Sequence, residues 1–163
     1  MKPIIILFFT FVSSFASAQS DTMAHWPIRY DDKDVGIVLG AHQFRSTFFE
    51  LGVAYTKRGG RGCAFGSYFN GYSLSAEYNP FQNRGGLALS AWKSLGTIIT
   101  SGITINSFCD FTYYNLGINP FIGIGPGHWS LTYGYNFQLI SNNVTDINRH
   151  CFSFRYYLPV KSF

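Results

Sequence analysis

Apolar and polar residues alternate with a period of two along most of the chain, and nowhere does the helical period of 3.6 take over. The stretch from His128 to Leu139 shows it best. One face carries Trp129, Leu131, Tyr133, Tyr135 and Phe137, and the other carries Ser130, Thr132, Gly134 and Asn136. Near the end of the chain, Phe152, Phe154, Tyr156 and Leu158 alternate with Cys151, Ser153, Arg155 and Tyr157. Phe49, Leu51, Val53 and Tyr55 alternate with Phe48, Glu50, Gly52 and Ala54. Tyr72, Leu74, Ala76 and Tyr78 alternate with Gly71, Ser73, Ser75 and Glu77. Successive side chains of a strand point to opposite sides, so each segment reads as a two-faced strand.

Read this way, the chain predicts eight strands, near residues 35–42, 46–55, 68–79, 86–94, 97–107, 114–123, 129–138 and 150–158. Turn chemistry separates them. Asn79-Pro80 and Asn83-Arg84-Gly85-Gly86 punctuate the third link, Ser94-Leu95-Gly96 the fourth, and Gly125-Pro126-Gly127 the sixth. Asn142 to Asn148 forms a longer polar loop, and residues 19–34 read as a polar leader with Asp31, Asp32 and Asp34. Thr56 to Ser67 is the longest link, although it falls where a short periplasmic turn is expected.

The chemistry of the two faces decides where the strands belong. A soluble barrel shows water a face rich in Lys, Glu and Thr. Here the polar face is mostly Gly, Ser, Thr, Ala and Asn, which suits a narrow, crowded interior. The apolar face carries aromatics near strand ends, at Tyr55, Tyr72, Tyr78, Trp129, Phe137 and Phe152, as in the girdles of a membrane barrel. The expected fold is therefore all-β: an antiparallel up-and-down transmembrane β-barrel of about eight strands. A soluble exported lipocalin-like barrel holding an apolar ligand is the alternative from pattern alone.

Composition agrees. Charged residues are 12% of the 163, against about 25% in an ordinary soluble domain, while aromatics reach 19%. The net charge of +4 is too small and scattered to argue for nucleic acid. No later stretch is apolar for long enough to cross a bilayer as a helix. Lys2, the apolar run Ile4–Val12 and Ala16-Ser17-Ala18 follow the order of a cleaved secretory signal. This predicts a signal peptide at 1–18 and a barrel domain at 19–163, located in the outer membrane.

Ser130-Leu131-Thr132-Tyr133-Gly134-Tyr135-Asn136, Arg155-Tyr156-Tyr157-Leu158-Pro159 and Gly71–Pro80 resemble segments of small outer-membrane β-barrels, broadly of the OmpA/OmpX type. The resemblance covers nearly all of residues 19–163. It implies outer-membrane lipid and lipopolysaccharide as surroundings, and folding by the β-barrel assembly machinery. That machinery reads an aromatic last strand, here Phe152, Phe154, Tyr156 and Leu158. Pro159 and the tail Val160-Lys161-Ser162-Phe163 depart from barrels that end on that strand.

Candidate chemistry is sparse. Glu50, Glu77 and Arg155 fall on the small, polar face, and buried charges must pair. The expectation is a lumen cluster in which Arg155 bridges both carboxylates, either as a structural plug or as a gated ion path. Lys57-Arg58-Gly59-Gly60-Arg61 reads as a solvated loop, or as a holder of lipopolysaccharide phosphates if it lies outside. His128-x-Ser130, with Asp146 as acid, resembles the pair of outer-membrane lipid A deacylases, which keeps a lipid-modifying enzyme as an alternative. Gly123–Gly127 leads into a strand and so is no phosphate loop. His25, His42, His128 and His150 lie at or near loops without ligand spacing, and no metal or cofactor is expected. Cys63, Cys109 and Cys151 leave one disulfide open. The primary expectation is a non-enzymatic barrel with a packed lumen and a structural or surface-loop role, not a general porin.

Overall fold

The computed structural model describes residues 30–60, 67–96, 98–109, 114–125, 127–141 and 149–163. Alternation converts into nine strand segments: β1 (Tyr30–Gln43), β2 (Thr47–Gly60), β3 (Tyr68–Asn79), β4 (Arg84–Leu95), β5 (Ile99–Cys109), β6 (Tyr114–Ile124), β7 (Trp129–Tyr135), β8 (Phe137–Ser141) and β9 (His150–Ser162). Every pairing is antiparallel. The order β5-β4-β3-β2-β1-β9-β7-β6 closes on itself through β5–β6, a hydrogen-bonded ring of eight strands. β8 continues the path of β7 past Asn136, and both pair with β6. The fold is an all-β barrel, as the alternation predicts. Among the described residues no helix is long and apolar enough to cross a membrane, which says nothing of strands.

Three boundaries differ from the sequence expectation. β1 starts at Tyr30, so Asp32 and Asp34 belong to a strand and not to a leader. β2 runs on to Gly60 opposite Tyr30, which puts Lys57 to Gly60 in the sheet and reduces the long link to residues 61–67. β9 takes in Pro159 to Ser162, with a register shift opposite Val35/Gly36 where Pro159 enters. The cause lies inside the barrel. Arg58 Nε sits 3.4 Å from Asp34 and 3.5 Å from Asp32, and Ser162 Oγ donates to Asp34 Oδ1. These contacts extend three strands beyond their apolar stretches. The signal peptide at 1–18, His25, Arg61, Cys63, Asp146 and the loop 142–148 lie outside the described residues.

Two of the turns follow from local chemistry. Asn79 Oδ1 accepts from the backbone N–H groups of Phe81 and Gln82 at 2.9 and 3.1 Å, closing the β3–β4 turn. Gly96 takes φ +63° in the β4–β5 turn, a conformation side chains resist.

The barrel is inside-out relative to a soluble protein. Leu131, Tyr133, Phe154 and Tyr156 are 50, 41, 48 and 41% exposed, while Ser73, Ser75, Thr104, Asn106 and Thr132 are buried. An eight-stranded interior is just wide enough for side chains to fill it. Large and small residues therefore alternate around the wall. Gly71, Trp92, Gly102, Phe121, Gly134 and Cys151 are register partners in turn on successive strands. A Cβ at Gly71 would collide with the Trp92 ring, and one at Gly102 would lie 2.6 Å from Phe121. Two apolar clusters pack inside the lumen. Phe44, Phe48, Phe108 and Cys151 pack near the β1–β2 turn, and Val38, Ala54, Phe69, Tyr157 and Trp92 pack towards the end where the described chain begins and ends.

Candidate functional site

The ionic cluster is built by register. Arg155 on β9 is the partner of Gly40 on β1, Gly40 of Glu50 on β2, Glu50 of Glu77 on β3, and Glu77 of Gly86 on β4. All lie on the inward face. Gly40 leaves the gap across which Arg155 reaches Glu50; a Cβ there would come within 2.5 Å of Glu50 Oε2. The guanidinium Nε donates to Glu50 Oε2 at 2.8 Å. One terminal NH2 donates to Ser90 at 2.9 Å and to Thr104 at 3.4 Å.

Glu50, Glu77 and Arg155 share one part of the lumen, as the alternation predicts. The expected bridge by Arg155 is corrected, because the group that spans both carboxylates is His42. Its Nε2 lies 2.7 Å from Glu50 Oε2 and 3.5 Å from Glu77 Oε1. Its Nδ1 hydrogen-bonds Ser153 Oγ at 2.7 Å. Ser75 donates to Glu50 Oε1 at 2.6 Å, while Glu77 Oε2 has no hydrogen-bond partner. His42 is 3% exposed, and so are Glu50 and Glu77, so His42 is a lumen residue and not a loop residue. The signal was present in the sequence. His42 shares the parity of Val38 and Gly40, and a short β1–β2 hairpin brings it diagonally beside Glu50.

The other candidates separate. Lys57 to Gly60 of the basic run are strand, not loop, and Arg58 points inward to Asp34. Lys33 and Lys57 are register partners on the outward face, and Lys93 and Lys161 lie at the same rim. His128 stacks on Tyr157, ring centroids 6.4 Å apart, and among the described residues no hydrogen bond joins it to Ser130. His150 stands outside, bonded to Tyr133 and edge-on to Tyr135. Phe152, Phe154, Tyr156 and Leu158 all point outward, 41 to 57% exposed.

No protein-family model, curated protein or solved structure matches the chain. Its own geometry is therefore what defines it: a closed antiparallel barrel with an apolar outside and a buried ionic cluster inside.

Proposed function

We propose that this chain is a small outer-membrane β-barrel with a packed lumen, serving through its structure or its loops and not as a general diffusion pore. The observation that carries the reading is the reversed polarity. Phe49, Leu51, Val53, Tyr55, Tyr72 and Leu74 are 41 to 61% exposed on one continuous outer face. In water that much apolar surface would be an aggregation liability; in hydrocarbon it is the favoured state. Closure matters equally, since every strand of the ring has a neighbour on each side and a spanning sheet tolerates no bare edge.

The dimensions fit. From Phe152 to Val160 every second side chain of β9 is outward and apolar. Eight steps of about 3.3 Å, tilted about 40°, span about 20 Å, close to the apolar band of about 25 Å of such barrels. Aromatic pairs Tyr55–Tyr72 and Phe49–Tyr78 bound the aliphatic stretch between β2 and β3, and the lysine rim lies beyond Tyr55. Export by the signal at 1–18 and folding by the β-barrel assembly machinery through Phe152, Phe154, Tyr156 and Leu158 belong to the same reading. Apolar clusters packed inside the lumen on both sides of the ionic residues argue against a wide pore. The buried Ser, Thr, Asn and Glu side chains also offer no matching surface to an apolar ligand of lipocalin type.

The test is cell fractionation with heat-modifiable gel migration. Recovery in the outer membrane, with a folded band that shifts on boiling, is expected. A chain that stays soluble without detergent and shows no shift overturns the reading.

A further inference from the structure

We propose that His42, Glu50 and Glu77 form a divalent transition-metal site inside the barrel. The three ligand atoms come from three adjacent strands and lie within 4.8 Å of one another. Around tetrahedral zinc, with bonds of about 2.0–2.1 Å, ligand atoms sit about 3.3 Å apart. His42 Nε2 is already 2.7 and 3.5 Å from the two carboxylates, so side-chain shifts of about 1 Å close the set on an ion.

This part of the lumen holds two carboxylates, one guanidinium and the His42 imidazole; the guanidinium is on Glu50 and the imidazole lies between the carboxylates. Glu77 is 3% exposed, and its Oε2 has no partner. Independently, Asn106 Oδ1 and Asn119 Oδ1 are buried without a partner, and both residues line the same polar cavity as His42 and Glu77. Three unpaired oxygens and an imidazole lining one small cavity make a polar pocket and not a hydrophobic core. The supporting shell has the form that metal sites use. Ser153 holds the far ring nitrogen of His42, while Ser75 and Arg155 hold Glu50. One imidazole with two carboxylates suits zinc or a neighbouring transition ion better than calcium or magnesium. Burial of all three ligands makes loading during folding the natural route.

The site needs the closed barrel and does not depend on what surrounds it. The experiment refolds residues 19–163 from urea into detergent micelles with Zn2+, desalts them, and measures zinc per chain by mass spectrometry, with heat-shifted gel mobility reporting folding. Co2+ in place of Zn2+ adds a visible absorption band. A variant with Cys63, Cys109 and Cys151 changed to Ser removes the thiols as competitors. One ion per folded chain is expected in wild type and in the thiol-free variant. Occupancy should fall at least about tenfold in Glu77→Gln, with His42→Gln as a second probe. Folded wild type without stoichiometric metal, metal lost with the thiols, or full occupancy in Glu77→Gln overturns the proposal. Insertion into lipid vesicles is scored separately: a chain that inserts without metal refutes only the site, and one that binds metal without inserting refutes only the membrane reading.

Discussion

Replacing Arg155 by Met tests the energetics of the lumen most directly. The Arg155 side chain is 12% exposed and that of Glu50 is fully buried, so Met preserves apolar volume while removing the guanidinium from a buried carboxylate that keeps only His42 and Ser75. Removing one partner of a buried pair costs about 3–5 kcal/mol. Ser90 and Thr104 lose their bonds to Arg155 but keep each other at 2.8 Å, so little is added there. With a urea dependence of about 2 kcal/mol/M, the unfolding midpoint falls by about 1.5–2.5 M. The assay is urea unfolding of refolded barrel in vesicles, followed by tryptophan fluorescence and by loss of the heat-shifted band. The decisive arm is the double variant Arg155→Met with Glu50→Gln. Once the stranded charge is neutralised, most of the loss should return, leaving the double variant more stable than Arg155→Met alone. A midpoint for Arg155→Met within 0.3 M of wild type, or two losses that simply add, refutes the reasoning about paired burial.

Gly40→Val places a branched side chain where a Cβ alone comes within 2.5 Å of Glu50 Oε2, and should cost about 1–3 kcal/mol in the same unfolding assay. Combined with Arg155→Met, that loss should not add in full, because both changes break one contact. Glu77→Gln replaces a buried carboxyl group whose Oε2 has no hydrogen-bond partner, so metal-free barrel should be unchanged or more stable by about 1 kcal/mol, whereas Glu50→Gln should destabilise it. Val53→Arg, at a site 60% exposed on the outer face, should cost about 2–4 kcal/mol in vesicles; a change within about 0.5 kcal/mol, as on a water-facing surface, contradicts the bilayer placement. Planar-bilayer recordings should show no large steady conductance, since side chains fill the lumen on both sides of the ionic cluster.

Period-two alternation was enough to assign faces, because a strand forces neighbouring side chains apart whatever surrounds it. Leu131, Tyr133, Phe154 and Tyr156 point outward, and Glu50, Glu77 and Arg155 inward, as their parity in the chain requires. Strand ends were less legible. Asp34, Arg58 and Ser162 look like leader, loop and tail in sequence, and only their meeting inside the barrel makes those segments strand. The ionic site needed more still. Arg155 reaches Glu50 because ring closure sets β9 against β1 with Gly40 as the spacer, and His42 joins because the β1–β2 hairpin turns within three residues. Alternation sets which way a side chain points; register across a closed sheet sets whom it meets, and that register depends on pairings more than a hundred residues apart in the chain.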